Sequence, residues 1–534
     1  MFNFKKLLSL GISAMMLFGV VILSVGCNDD PPSGERPKGT QVVVYMSGDY
    51  VAGSDEDRVK EVIEQKFWED TGLSIDLDFR LKTTSDFNQS MTNAMASASW
   101  DAAVSYLGHA GIDEVLIREN AAMDITALIN EYGENIKKVI DDDAFNALRS
   151  LEDKLYGIPS LNIKKQHGLL VRKDWMERVG FTDRPGDPDG LTTLRTIDQF
   201  ESMLKKFRDE IEGCTIPLIG YPWDLERVIT VGPTAPSGYS YNVVMKDASG
   251  NVSEVISGKL HPSYKKTLTY AANWVKDKLW EKDNTTRPIS NRETAFISGQ
   301  SGVYTVNPRV TEMIRMARLV KQQDPQATFA MLDPLIGYDD DGNEINGGFA
   351  ELNRVFSALV INPKSANAEL IVKYMDWMYS DVDNYELCTY GIKGEHWLDA
   401  GEGRMKYPEG KEEEYIMATP YSGAYAMLEC EEFSLRLLDT YTEEEMEWIN
   451  KAGTVPTYVN QLENILFPRA DAQMSLDLQT AENRFFKNVM ALAWSGDLNA
   501  VRAFETEAEI YREKAEEYLT WRTNQYKLFM AARS

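Results

Sequence analysis

Cysteine is scarce in this chain. Four stand among 534 residues, at positions 27, 214, 388 and 430, with no C-x-x-C pair and no His/Cys cluster at ligand spacing. That pattern indicates neither a zinc site nor a disulfide framework. Basic charge is also short: 56 Lys and Arg stand against 83 Asp and Glu, for a formal charge of -27. A phosphate-binding face needs clustered Lys and Arg, so no nucleic acid is expected as a partner. Anionic lipid held by charge is excluded on the same ground. P-loop, H-E-x-x-H and dinucleotide-binding patterns are missing. Gly299-Gln300-Ser301-Gly302 is one residue short of a G-x-S-x-G elbow. Ser202-Met203-Leu204-Lys205 fits S-x-x-K, but it lies inside an amphipathic helix whose buried face takes Met203, Leu204 and Phe207. No cofactor, metal or internal repeat is implied.

What is present reads as a folded globular protein, with 43% hydrophobic and 10% aromatic residues. The length exceeds one ordinary core, so two or more lobes are expected. Lys5 and Lys6 precede an apolar run from Leu7 to Val25, the pattern of an export signal. The run ends in Ser24-Val25-Gly26-Cys27, which resembles the lipobox of bacterial lipoproteins, although Ser24 stands where Leu is usual. On this reading 1–26 is a signal peptide, Cys27 is lipidated, and 27–40 is a flexible tether. An uncleaved membrane anchor is the alternative, since the run is nearly long enough to span. Either way the folded part is expected on the extracytoplasmic face of a membrane.

The mature chain alternates strand and helix. Val42 to Met46 is β-branched, Val59, Val62, Ile63 and Phe67 share a helical face, and Ile75, Leu77 and Phe79 alternate. A helix around Phe87 and Met91 and a strand from Asp101 to Tyr106 follow. This order predicts an open α/β sheet with right-handed crossovers. Ligands sit beyond the carboxyl ends of such strands, which places Asp49, Tyr50, Tyr106 and His109 on one rim. Further on come the strand Gly168 to Val171, a capping box at Thr196 to Gln199, the strand Val355 to Ile361 and a long helix from Ile371 to Leu387. That helix ends in Tyr390-Gly391-Ile392-Lys393-Gly394-Glu395-His396-Trp397. One carboxylate beside one indole suits a sugar, whose hydroxyls and apolar face they match. The same turn also suits a capped helix whose Trp397 packs in the core and whose Glu395 faces water.

The joint order of Lys154 to Pro159, Leu169 to Trp175, Phe200 to Phe207, Ala295 to Gly302 and Tyr390 to Trp397 resembles extracellular solute-binding proteins of family 1, the carbohydrate-binding lipoproteins of ABC importers. The larger Gram-positive oligosaccharide binders are the nearest in pattern. The resemblance implies a periplasmic-binding-protein-like α/β fold of two lobes, a hinge, an inter-lobe ligand cleft and a helix-rich C-terminal region. It implies lobe one at 40–162 plus 350–398 and lobe two at 163–349 plus 399–534. It also implies a carbohydrate ligand, permease subunits as partners, a monomer, and no catalysis. Several relatives carry a calcium loop after the helix matching Phe200–Phe207; Arg208 to Cys214 lacks alternating oxygen ligands, so no calcium is expected there. Asp339-Asp340-Asp341-Gly342-Asn343 suits an exposed turn better than a metal site.

For sugar recognition the candidates are Asp49, Tyr50, Tyr106, Trp223, Arg309, Glu395, Trp397 and Tyr421. Trp223 lies in Gly220-Tyr221-Pro222-Trp223-Asp224, a turn that displays its ring after a strand, and Arg309 opens a helix straight after another. For each aromatic, core packing is the competing reading. Two other functions stay open: a surface glycan hydrolase, which needs two carboxylates about 5–10 Å apart, and a glycan-docking lipoprotein uncoupled from transport.

Overall fold

The computed structural model describes residues 36–47, 53–107, 112, 116–117, 119–184, 190–230, 242–338, 342–345, 347–352, 354–417 and 419–533. Cys27, Asp49, Tyr50, His109 and the acidic run 339–341 lie outside them.

β-Branched runs separated by amphipathic helices build a five-stranded sheet in the order Ile75–Lys82, Thr40–Ser47, Ala102–Tyr106, Val355–Ile361 and Ile158–Leu161. The first three strands are parallel, and Val355–Ile361 runs antiparallel to both of its neighbours. The helices Glu56–Thr71 and Thr84–Ser97 make the crossovers, burying Val59, Ile63 and Phe67 from the first and Phe87, Met91 and Ala94 from the second. The long helix expected from Ile371 is broken in two, Ala368–Met378 and Val382–Tyr390. Ser380 and Asp381 supply the break: Ser380 Oγ donates to Trp377 O at 2.7 Å, and Asp381 accepts from Asp383 N at 2.8 Å to start the second helix. Gly391 closes it at a φ of 81°, where a side chain would be strained.

A second sheet runs Phe329–Met331, Leu170–Arg172, Val303–Tyr304, Leu218–Ile219. Successive residues point to opposite faces. Leu169, Val171, Leu218, Val303 and Ala330 enter one core, whereas Leu170, Ile219, Tyr304, Phe329 and Met331 enter the other. Helices cover both faces, among them Ile197–Glu210, which starts in the predicted Thr196/Gln199 capping box and buries Phe200, Met203, Leu204 and Phe207. The C-terminal helices Ala472–Phe485 and Phe504–Lys514 join this lobe through Phe485, Phe504 and Tyr511.

The assignment of all of 399–534 to lobe two does not match the packing. Tyr421, Tyr425, Leu428, Cys430 and Leu466 lie in the lobe-one core, whereas Trp448 and Val455 lie in the lobe-two cores. Three crossings lie side by side at the hinge. Asn162 N donates to Arg354 O at 2.8 Å and Leu352 N to Lys164 O at 2.9 Å, joining the first crossing to the second. Leu161 N donates to Glu429 O and Glu431 N to Leu161 O, both at 3.0 Å, joining the first to the third. A few backbone links between two independent cores are what a hinge requires.

Candidate ligand-binding site

The strands of lobe two bring three segments to one end of their sheet. Leu218–Ile219 and Val303–Tyr304 are parallel and finish there, and Leu170–Arg172 is antiparallel and begins there. The rim therefore carries Tyr221 to Asp224, Asn307 to Arg309, and Gln166 with His167. Gly220 must be glycine, since a Cβ would come within 1.8 Å of Thr305 Oγ1. Pro222 opens a single helical turn, Pro222–Leu225, on which Trp223 is half-buried and stacked on Tyr221 at 4.6 Å between ring centres. Asp224 is buried and accepts from Asn307 N at 3.1 Å, tying this turn to the Arg309 segment. Burial pushes its carboxyl up, against the pull of Arg227.

This end of lobe two faces lobe one, because Glu431 reaches it. Glu431 Oε2 accepts from Ile163 N at 2.9 Å and from Gln166 Nε2 at 3.2 Å, and Oε1 lies 3.7 Å from Arg309. Glu429, two residues earlier, is exposed. Loss of solvent around its carboxyl pushes the pKa up, the Glu431 charge adds to the effect, and Arg309 opposes it. His167 is 3% exposed and bonds Ala350 O at 2.8 Å through Nδ1, while its Nε2 has no partner among the described residues. Burial, helped by Arg227 and Arg309, holds its pKa down to about 3, so the ring is neutral.

On the lobe-one rim, Tyr106 ends its strand half-buried opposite Ser357. Beside it Phe356 is 56% exposed, with its carbonyl held by Leu107 N at 2.8 Å. The sequence reading missed Phe356 because Val355 to Ile361, apolar except for Ser357, reads as a buried strand. It also missed Glu429, Glu431 and His167, which take their meaning from the hinge.

The remaining candidates sit elsewhere. Trp397 is 2% exposed, donates from Nε1 to Gly391 O at 3.1 Å and lies under Arg436, so it packs the turn and offers no ring face to a ligand. Tyr421 is 5% exposed, with its hydroxyl on Cys388 O and its ring parallel to Tyr425 in the lobe-one core. Trp397 was read from an aromatic beside a carboxylate on a turn and Tyr421 as a rim aromatic; core packing, the competing reading for each, is what their burial matches. Glu395 is exposed and salt-bridged to Arg58 at 2.5 Å, with no contact to Trp223 or Arg309. An exposed pair is worth little, so Glu395→Ala should shift unfolding by under about 0.5 kcal/mol and leave sugar affinity unaltered. A tenfold loss in calorimetric affinity would return it to the ligand set.

A hollow of about 700 Å³ in lobe one lies between Lys66, Asp70, Lys373 and Asp376. Its polar groups are already satisfied: Trp377 Nε1 donates to Asp70 at 2.7 Å, and Asn135 N donates to Asp376 at 2.7 Å. It carries no argument for the ligand.

Two-lobed proteins of this plan are known. The N-glycan transport solute-binding protein NgtS of Streptococcus pneumoniae superposes with a TM-score of 0.64 at 15% identity, covering 92% of this chain and 100% of that one. The chain has the two-lobe fold of extracellular solute-binding proteins. The alginate-binding protein AlgQ2 shares it at a TM-score of 0.63 and 15% identity over 92% of this chain and 98% of that one. So does a solute-binding protein for human milk oligosaccharides from Bifidobacterium longum infantis, with a TM-score of 0.63, 15% identity, and 92% and 99% coverage. The resemblance read from segment order thus holds for the fold. No protein-family model matches the chain. A polygalacturonan/rhamnogalacturonan-binding protein of Bacillus subtilis is 23% identical over 274 residues, 50% of this chain; the chain spans 51% of that relative.

Proposed function

We propose that this protein is an extracytoplasmic receptor of an ABC importer that captures a carbohydrate, an oligosaccharide, by closing its lobes and hands it to a permease. The observation that carries the reading is the lobe-two rim. The Tyr221–Trp223 stack sits on a turn that Asp224 ties to Asn307, two residues before Arg309, and Arg309 in turn lies 3.7 Å from the hinge carboxylate Glu431. A flat apolar face with planar donors and acceptors around it suits sugar rings. Tyr106 and Phe356 on the opposite rim would meet the ligand on closure, and differential contacts of this kind drive closure. The relatives support the choice of solute, being named for polygalacturonan, alginate, N-glycan and milk oligosaccharides. Lipidation at Cys27, a membrane tether and a monomeric state belong to the same reading. No described helix is long and apolar enough to cross a membrane.

One observation favours a hydrolase: Glu429 has a raised carboxyl beside the second carboxylate, Glu431. Glu431, however, is engaged by Ile163, Gln166 and Arg309, which fits a hinge post better than a nucleophile.

A thermal-shift screen of the chain from residue 28 against galacturonan, alginate, N-glycan, fructan and milk oligosaccharides tests the reading. One sugar class should raise the melting temperature saturably and be recovered intact. Stabilisation by none of them, or the appearance of shortened sugars, sinks it. Trp223→Ala should then weaken that sugar ten- to thirtyfold, about 1.4–2 kcal/mol, with little change in stability. An unchanged dissociation constant would remove Trp223 from the site.

A further inference from the structure

Arg292 belongs to the helix Ile289–Ile297 and is 0% exposed. Its guanidinium carbon lies 3.6 Å from the centre of the Tyr221 ring. The Trp223 indole lies 4.6 Å from the same ring and 12° from parallel. Two flat groups so close cannot share one face of Tyr221, so the three form a stack: guanidinium beneath, phenol in the middle, indole on top. Trp223 itself keeps part of its surface exposed. A cation under Tyr221 draws on its π-electrons, which favours stacking against the electron-rich indole.

The base of this stack is built from buried charge. Arg292 Nε donates to Glu281 Oε1 at 2.5 Å, and Nη2 donates to Asn284 O at 2.6 Å. Glu281 Oε1 also accepts from Gly220 N at 3.2 Å, and Trp280 Nε1 donates to Gly220 O at 2.9 Å. Tyr221 O–H donates to Arg287 O at 3.3 Å. Gly220 and Tyr221, the part of the turn before Pro222, are thus held by Glu281, Trp280 and Arg287. Arg292 Nη1 has no partner among the described residues, and a buried ion pair with an idle donor is a poor device for stability. What the pair does supply is a fixed orientation.

We propose that Arg292 is a positioning residue for carbohydrate binding: without touching the ligand, it fixes the Tyr221–Trp223 stack so that the indole is presented as a preformed platform. The proposal rests on the receptor reading for its consequence but not for its geometry, and the two fail separately. Protein labelled with 5-fluorotryptophan gives a ¹⁹F spectrum in which Trp223 is assigned through Trp223→Phe. Without ligand, Trp223 should give one sharp line in the native chain and a broadened or split line in Arg292→Met. Tyr221→Leu, which removes the middle layer from the half-buried turn, should do the same and serves if Arg292→Met folds poorly. With trigalacturonate, Man5GlcNAc and kestose as probes, whichever shifts the native Trp223 line should bind both variants at least tenfold more weakly. An unchanged Trp223 line in both variants overturns the proposal, as does unchanged affinity. If no probe moves the native line, the receptor reading loses support, and the ligand-free spectra still decide the role of Arg292.

Discussion

Trp397→Ala should cost lobe one about 3–5 kcal/mol while leaving sugar affinity within about twofold for the fraction that folds. The indole is 2% exposed and fills the turn between the end of the helix Val382–Tyr390 and the strand Leu398–Gly401. Tyr390 meets it edge-on at 5.9 Å, and the charged ends of Arg436 and Lys393 each lie 5.2 Å from its ring. Truncation leaves a cavity lined by two cations that have lost their aromatic partner. It also removes the donor to Gly391 O, the carbonyl of a residue already at positive φ. Arg436 in turn pairs with buried Glu386 at 2.6 Å, so disorder at the turn spreads to that pair. The two lobes have separate cores, so the quantity to follow is the lobe-one transition in a denaturant titration. A loss under 1 kcal/mol would mean that the turn relaxes without its indole. A large loss of affinity would put Trp397 back among the ligand contacts.

The contrast between Trp397 and Trp223 shows what local sequence can carry. Both follow a regular element and sit in a glycine-containing turn, and both were read as sugar platforms. Trp223 stays at a rim because Pro222 starts a helical turn at the end of a short strand, and that is written locally. Trp397 is covered by Arg436, thirty-nine positions later in the chain, and no pattern around residue 397 announces this. The strands were legible for the opposite reason. Val42 to Met46, Ile75 to Phe79 and Val355 to Ile361 carry β-branched or alternating residues that fit a sheet whatever the rest of the chain does. The path through 399–534 was not legible, because periodicity reveals that a segment has an apolar face but not which core receives it. Tyr421 to Cys430 fell in a helix-rich region expected in lobe two, and Tyr421, Tyr425, Leu428 and Cys430 pack in the lobe-one core. Arg292 drew no reading from the sequence, because only the fold brings Glu281 and Tyr221 around it.

His167 makes the hinge sensitive to acid. In the unfolded chain its pKa lies near 6.5; in the folded chain burial holds it down to about 3, with Arg227 and Arg309 repelling the proton further. The sign follows directly. Below pH 6.5 the unfolded chain takes up a proton that the folded chain refuses, so stability is complete above that pH and falls as pH drops towards 3. The slope is about 1.4 kcal/mol per unit, which gives a loss of about 2 kcal/mol by pH 5 and nearly 3 by pH 4.5. The groups facing the ring are the two arginines, with Glu431 beyond Arg309, while Nδ1 is committed to Ala350 O on the second hinge crossing. Glu431 bonds to the hinge backbone and Gln166, and its Oε1 is already turned to Arg309, so it offers His167 no direct counter-charge. His167→Gln keeps a donor for Ala350 O and removes the titration. Between pH 7 and 5 the native chain should lose about 2 kcal/mol more lobe-two stability than this variant, because carboxylates common to both chains cancel in the difference. Parallel stability curves would mean that His167 is protonated in the folded state. The ring would then be a cation among two others, and its unpartnered Nε2 would be a donor in need of the hinge carboxylate.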